Sequence, residues 1–586
     1  MSAPVPPQTV DVLIVGAGPA GAMAALALVK CGVRNIKIVD IAPRKTAGYA
    51  GGIMPRTIEV FKSYGLLDKL YSEGACPVYR IATYTYDKTS DCPKLVSRFP
   101  AVAEPTARYP FILESSQPII EGTMLEAVAA EGIDVERLYS PIKLDVSSDE
   151  AVLGDPTAYP ITAYLQSPEL NRESQVVRAR FIVGADGAHS YVRKTVGIEM
   201  EGAQTDQVWG AVDFIPSPES DFPDWRNVGT IIGGGVSVFL IPHPGGSVRL
   251  YVELSAEKDV LDPATGRVDM ARFSAKRLLA ITKKAFHPYI IEPSSMEDVS
   301  WWTVYGVGQR VASAFSVHER VFIAGDAGHT HSPDAGQGLN TSVNDSHNLG
   351  WKLAYVLKGL APLSLLKTYE SERRTFALKL IAFDRWYAEG FSSAARAKLQ
   401  GDSNVEMPMP IDAFVAHSSL TSGCGIHYAP SLVVEGKSVI GSDLLVVGKR
   451  LPPQTLYYSA DHAPVDIQDF CPSDGRFKLF VFVGNLATRE DKARLGALAD
   501  GIKGVLHVLP QDVVSIVTVI KNLGGAFTYR DVPAFLRPRW TSVIEDTHNF
   551  EDIGRAYGAF GIGDEGALIV VRPDGYVGTV TRTVLS

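Results

Sequence analysis

Val12-Leu13-Ile14-Val15-Gly16-Ala17-Gly18-Pro19-Ala20-Gly21-Ala22 is the stretch on which the reading of the fold turns. The apolar run 12–15 predicts a buried strand, the glycines at G-x-G-x-x-G spacing predict a tight turn, and 19–30 reads as a helix with proline in its first turn. A second apolar run, 36–40, ends in Asp40, 24 residues after Gly16. Strand, glycine loop, helix, strand and acid in that order form a βαβ unit carrying the dinucleotide fingerprint in its required context. Gly16 permits the turn, Gly18 lets a pyrophosphate approach the backbone, and Gly21 lets helix and strand pack. Asp40 is placed to accept ribose hydroxyls. Pro19 and Ala20 open a helix whose free N–H groups and positive dipole end suit phosphates. Gly561-Ile562-Gly563-Asp564-Glu565-Gly566 repeats the glycine spacing but precedes a strand and lacks the following acid, so it predicts no site.

Around this unit lie 586 residues, too many for one core, with 46 % hydrophobic and 21 % charged residues and 53 glycines. That is the profile of a globular α/β enzyme with several units. A net charge of -9 without a basic stripe argues against nucleic acid. Five scattered cysteines without a CxxC offer neither a disulfide framework nor a zinc site and point to a reducing, cytoplasmic location. The apolar run 12–29 is long enough for a membrane span, but its phosphate-loop glycines and proline rule against one, so no membrane association is expected.

Outward from the fingerprint, helix patterns cover 57–70 and 117–130, and a buried strand is expected at 181–184. Between about 201 and 310 the texture changes to alternating strands, such as 248–254, broken by Pro/Gly turns. The α/β texture returns with a strand at 321–324 and a long helix over 339–360. A weakly patterned stretch after about 404 reads as a surface linker. The last unit shows strands at 477–483 and 513–519, a helix near 487–502, and a hairpin of 567–571 with 576–580 turned by Pro573-Asp574-Gly575.

Two further motifs carry chemistry. Val183-Gly184-Ala185-Asp186-Gly187-Ala188-His189-Ser190-Tyr191-Val192-Arg193 ends a strand in an Asp-Gly turn. Arg320-Val321-Phe322-Ile323-Ala324-Gly325-Asp326-Ala327-Gly328-His329 ends another in Gly-Asp, and Gly336-Gln337-Gly338-Leu339-Asn340 then opens the long helix. With these the chain resembles the group A flavoprotein monooxygenases, and within them the phenol 2-monooxygenase and 3-hydroxybenzoate 4-monooxygenase family. That closer likeness rests on Asp326-Ala327-Gly328-His329-Thr330-His331-Ser332-Pro333, on Asn348-Leu349-Gly350-Trp351-Lys352-Leu353, on Trp301-Trp302-Thr303-Val304-Tyr305, and on the C-terminal Gly566 to Val577.

The resemblance implies an α/β chain of p-hydroxybenzoate hydroxylase type. A Rossmann-like FAD-binding domain would be built from 1–80, 108–200 and 311–400, with a sheet-rich substrate domain from 81–107 and 201–310. A linker at 401–427 would lead to a thioredoxin-like C-terminal domain at 428–586 that serves homodimerisation. It further implies FAD bound by the fingerprint residues, Asp186, Asp326, Gly336, Gly338, Leu339 and Asn340, with Gln117 and Arg56 on the flavin. NADPH or NADH would be a transient co-substrate. Tyr305 resembles the family's active-site tyrosine and would hold the hydroxyl of a phenolic substrate, whose ring attacks the distal oxygen of a flavin C4a-hydroperoxide formed from O2. The alternative for Tyr305 is a core residue. Gly51, Arg249, Tyr251 and Pro333 are candidate pocket residues, Arg249 being equally readable as salt-bridged. The family's Ala-Asp-Gly is Ala50-Gly51-Gly52 here, so a carboxylate is missing. The freed volume and lost charge would suit a larger, more acidic, carboxylated or polyphenolic substrate, with decarboxylation open. The competing readings are a reductase or halogenase of this fold, or a flavin-binding protein without catalysis. His329 and His331 sit in a loop without a third ligand, so no metal is expected.

Overall fold

The computed structural model describes residues 7–583 other than 49, 88, 168–173, 234–235, 334–335, 392–413, 485, 487, 522–526 and 547–555. The fingerprint strand, Gln8–Val15, lies inside a sheet between Gln175–Gly184 and Ile36–Asp40, parallel to both. Val321–Ile323 and Val135–Arg137 extend it in parallel on either side. Parallel strands covered on both faces read as unbroken apolar runs, and Val12, Leu13 and Ile14 are fully buried. Pro19–Lys30 leaves the loop as a helix of small and aliphatic residues. It packs so closely on the helix Gly338–Leu357 that a Cβ on Gly350 would stand 2.4 Å from that of Ala27.

A second sheet runs, in order, His329–Thr330, Val299–Ala312, Met200–Phe214, Val248–Glu253, Val236–Pro242, Val228–Gly233, Arg80–Asp87 and Cys92–Pro100. Thus chain from 80–100 and from 200–312 shares one sheet. Side chains alternate along each strand, so the sheet has two distinct faces. Val212, Leu250, Val252 and Val304 pack with Leu278, Ala285 and Phe286 of the helix Ala275–Phe286. Tyr251, Phe239, Trp301 and Tyr305 stand on the other face.

The C-terminal chain forms a third sheet in which Phe477–Phe482 and Val514–Lys521 are parallel and joined through the helix Arg489–His507. The antiparallel hairpin Ala567–Val571 and Val577–Arg582 continues it on one side, and Val543–Asp546, Thr455–Tyr458 and Pro464–Asp466 continue it on the other. A βαβ unit followed by a hairpin is the thioredoxin-like arrangement, here without paired cysteines: all five in the chain are free. Gly561 to Gly566 leads into strand Ala567–Val571, as its context implied.

The helix expected at 57–70 is two helices, Pro55–Ser63 and Leu67–Ser72, because Gly65 takes a positive φ of 74° between them. Most of the expected linker, 401–413, lies outside the described residues; beyond it is the short helix Ser418–Thr421. No helix among the described residues is long and apolar enough to cross a membrane.

A buried ion network joins the C-terminal sheet to the first domain. Arg572 donates to Glu372 at 2.7 Å and to Asp574 at 2.5 Å, and Lys352 donates to Glu372 at 2.8 Å, with all four side chains at most 2 % exposed. Burial alone would raise the Glu372 carboxyl, yet Arg572 and Lys352 hold it well below the usual carboxylate range. Removing one member strands buried charge, which costs about 3–5 kcal/mol. Arg572→Met is therefore expected to lower the melting temperature of the whole chain, and two well-separated transitions with the first domain unaffected would contradict this coupling.

Candidate active site

One cavity of about 1120 Å³ connects the glycine loop to the inner face of the second sheet. Its wall takes in Gly16, Gly18, Pro19, Ala20 and Asp40 from the first βαβ unit, Asp186, Gln117, Asp326, Gly336, Gly338 and Leu339 from the turns and helix starts around it, and Gly51, Arg249, Tyr251, Tyr305 and Pro333. The tertiary structure thus gathers residues that the sequence scatters over some 300 positions.

The nucleotide end is built by close backbone approach. Gly16 has φ 100° and a Cβ there would lie 2.2 Å from the Ala185 carbonyl oxygen, while one on Gly21 would lie 1.9 Å from the Gly16 carbonyl oxygen. Gly21 accordingly packs helix on strand and is not on the cavity wall. Gly18 differs: its Cβ position meets nothing nearer than Glu121 Oε1 at 3.8 Å, and it borders the cavity, leaving space for a bound group against the helix N-terminus. Asp40 accepts from the Ala17 N–H at 2.7 Å and from the Ala42 N–H at 2.8 Å, which fixes its carboxylate beside the loop.

Asp326 is exposed, and the cavity is where it is exposed. Asp186 borders the cavity, but its carboxylate caps the helix Tyr191–Thr195, accepting from Ser190 Oγ and from the Tyr191 and Val192 N–H groups. Arg193 was missed by the sequence reading. Its guanidinium donates to the Ala327 and Ala188 carbonyls, tying the Gly-Asp turn to the Asp-Gly turn. Gln117 accepts from the Ala50 N–H at 3.1 Å and donates to Glu121 at 2.7 Å.

Three expectations are corrected. Arg56 does not reach the cavity: as part of the first helical turn after Met54 it points to the C-terminal sheet, donating to Glu59 at 3.0 Å and to the Asp574 carbonyl at 2.7 Å, and stacking over Tyr576. The Asn340 side chain faces inward and holds the strand Gly52–Ile53, accepting from the Met54 N–H and donating to the Gly52 carbonyl. At Gly51 the backbone leaves no room for a side chain, and a different carboxyl, that of Glu114, stands beside it. A Cβ at Gly51 would lie 2.6 Å from the Ser115 carbonyl oxygen, and Glu114 Oε2 sits 3.3 Å from the same point. His329 is bonded to Asp345 and His331 to the Ser332 carbonyl.

The wall formed by the second sheet is aromatic with polar groups at its edge. Trp301, Thr303, Tyr305 and Val307, alternate residues of one strand, all border it, as do Arg249 and Tyr251 from a second and Phe239 and Ile241 from a third. Arg249 donates twice to Asp213, at 2.6 and 2.7 Å, and once to Tyr251 Oη at 3.1 Å, with Trp301 stacked 4.9 Å away. It is both a salt-bridged residue and a pocket residue. Burial, then Arg249 and Arg226, push the His243 imidazole down to about 3, so it is neutral. Burial pushes the Glu114 carboxyl up to about 8, with Arg249 opposing in part. The sequence reading singled out neither residue: Glu114 stands in the segment Leu113 to Glu121 that carries Gln117, where only the glutamine was assigned a role, and His243 stands in no motif.

The chain is similar to known proteins along its length. The FAD binding domain family matches residues 9–384, and the phenol hydroxylase C-terminal dimerisation domain matches 426–584. Phenol 2-monooxygenase fsqG of Aspergillus fumigatus is 32% identical, over 97% of this chain and 93% of that protein. The 3-hydroxybenzoate 4-monooxygenase of Comamonas testosteroni is 34% identical, over 98% and 92%. Among solved structures, the flavin-dependent monooxygenase PieE in complex with FAD and substrate matches with a TM-score of 0.71 at 21% identity, covering 99% of this chain and 97% of that one.

Because the Gly18 Cβ position is open in the protein itself, Gly18→Val is expected to fold with an unchanged far-ultraviolet spectrum yet purify without flavin. Asp326→Ala removes one acceptor and is expected to weaken FAD retention by about 1–3 kcal/mol. Flavin content after dilution and gel filtration reads both, and full occupancy in Gly18→Val would refute the phosphate path.

Proposed function

The chain belongs to the FAD-dependent aromatic monooxygenases that end in the phenol hydroxylase dimerisation domain, and from that premise we propose that it hydroxylates a phenolic ring using NAD(P)H and O2. The observation that carries this reading is the continuity of the cavity. A dinucleotide loop, a helix N-terminus and an aromatic, hydrogen-bonding wall border a single space. When bound, FAD would supply hydride acceptance from the nicotinamide and the activation of O2.

The chain's own groups account for placement and selectivity. Gly18, Asp40, Gln117, Asp326, Gly336 and Gly338 border the space that would hold the cofactor. The helix Gly338–Leu357 begins at the wall of that space with Gly338 and Leu339, and its first-turn N–H groups, which have no intrahelical partners, and its positive dipole end would favour negative charge on a ring system placed there. Gly336, at φ 62°, provides the turn ahead of the helix.

The sheet face excludes water from the reacting ring through Phe239, Trp301 and Ile241. Arg249, its charge matched by Asp213, fixes the hydroxyl of Tyr251. Tyr305 borders the same chamber, and in this proposal its hydroxyl holds the substrate oxygen while electron density moves to the ortho and para carbons. The matched charge of Arg249 makes no demand for a substrate carboxylate, so the substrate class is a phenol, with carboxylated and polyphenolic members included. The C-terminal domain is proposed to join two copies into a homodimer. Light scattering tests this: a mass of one chain would refute it.

Stimulated NAD(P)H oxidation across a panel of phenols, with label from oxygen-18 gas in the product, tests the activity; oxidation without labelled product from any phenol counts against it. Tyr305→Phe is expected to lower product per NAD(P)H roughly 10- to 100-fold, one hydrogen bond made chiefly in the transition state. Reduction of the flavin does not require that hydroxyl, so the reductant should still be consumed and peroxide released. Wild-type coupling in Tyr305→Phe would make Tyr305 a packing residue and direct the search to Tyr251.

A further inference from the structure

Among the described residues bordering the cavity, Glu114 is the one that carries a buried side-chain oxygen without a hydrogen-bond partner. It is 2 % exposed, and its Oε2 has no hydrogen-bond partner among the described residues. A buried carboxyl oxygen without a partner is costly and is not retained for packing alone. The main chain makes room for it. Glu114 ends the strand Ile112–Glu114 and pairs with Gly52 of the neighbouring strand. A Cβ on Gly52 would stand 3.1 Å from Oε1 and one on Gly51 3.3 Å from Oε2, so two consecutive glycines leave space where side chains would crowd the carboxyl. The same Gly51 point is 3.0 Å from His243 Cε1, which brings a second polar group to this corner of the wall.

We infer that Glu114 is the proton acceptor of the substrate pocket, taking the proton of the phenolic hydroxyl; this rests on the ring-hydroxylation reading above. In the step, the substrate O–H bond breaks, an O–H bond forms on the Glu114 carboxylate, and the electron pair stays on the phenolate oxygen. Reversal of the transfer returns the proton to the product oxygen.

The surroundings suit that work. Arg249 faces the carboxyl from the sheet, its charge matched by Asp213 and its Nη1 bonded to Tyr251. His243 is neutral. Cys76 lies opposite Glu114 on the strand Cys76–Val78, and Arg226 approaches Cys76 Sγ at 3.7 Å. With this set, burial dominates and the carboxyl ionises near 8. The acid is neutral below that pH and a base above it, so hydroxylation is expected to rise with pH through about 8. A base of that strength is matched to phenols of comparable acidity.

The test uses the FAD-loaded full chain as wild type, Glu114→Gln and Glu114→Asp, with flavin content and melting temperature confirming that each folds. Two readouts are taken. The first is the ionisation of bound 4-nitrophenol, visible in its absorption spectrum, as a function of pH; it needs no turnover. The second is kcat/KM for labelled product against pH. The expected result is a shift of at least half a pH unit in the bound probe's ionisation in Glu114→Gln. The rise of kcat/KM near pH 8 should disappear, with a loss of about 100-fold for weakly acidic phenols. That loss should be smaller for phenols already ionised at the assay pH, and Glu114→Asp should retain the pH-dependent rise at a lower rate. Identical probe titrations in wild type and Glu114→Gln would overturn the inference, as would failure of the probe to bind wild type. A shifted titration in an enzyme that oxygenates no phenol would leave the proton acceptor standing and defeat the hydroxylase reading instead.

Discussion

Asp345 accepts from Arg373 Nε at 2.7 Å and, on its other oxygen, bonds His329 Nε2 at 2.8 Å and the Gly325 N–H at 3.1 Å. Burial alone would raise this carboxyl, but Arg373 and then His329 hold it below the usual carboxylate range. A single ionised group in the middle of the helix Gly338–Leu357 thereby fixes the turn that presents Asp326 to the cavity. It also fixes the neighbouring helix Lys367–Phe391, on which Arg373 is carried. On the same two helices, Asn348 and Lys352, one and two turns beyond Asp345, and Glu372, next to Arg373, meet Arg572 and Asp574 of the C-terminal sheet. The helix that opens on the proposed flavin site is therefore held along its length by charge, with every residue from Leu339 to Val356 buried. Such networks are stable only when complete. The site and the C-terminal domain accordingly share one polar core.

That arrangement explains the relocation of Arg56. On sequence it sits beside the flavin-contacting segment, and in space it belongs to the same interdomain core, donating to the Asp574 carbonyl that His347 also approaches. Its task is to seat the C-terminal sheet on the helix Pro55–Ser63. Asn340 shows the same logic at shorter range, fixing the strand Gly52–Ile53 and with it the chamber wall formed by Gly51 and Glu114.

The chamber itself follows from strand periodicity. Trp301, Thr303 and Tyr305 face one way while Trp302 and Val304 face the other, because successive side chains on a strand alternate. A one-residue slip in this strand would exchange the pocket wall for the core. The pairing of Met200–Phe214 between Val299–Ala312 and Val248–Glu253 secures the register and brings Arg249 opposite Asp213.

The sequence by itself determined what depends on local backbone chemistry. The fingerprint was legible because tight turns and close approach demand glycine at fixed spacing, and Gly16, with φ 100° and no room for a Cβ, shows that demand directly. The parallel sheet, the alternating strands and the C-terminal hairpin were legible for a similar reason: periodicity records which face is buried. Only the tertiary structure decided which polar groups meet. Asp186 proved to be a helix cap, Arg193 a clamp between two turns, and Arg56 an interdomain contact, since hydrogen-bond partners come from strands and helices far apart in the chain. Glu114 shows the limit most clearly. Its carboxyl matters because of the environment that Gly51, Gly52, His243 and Arg249 create around it. Burial is a property of the assembled wall, and no spacing of residues along the chain encodes it.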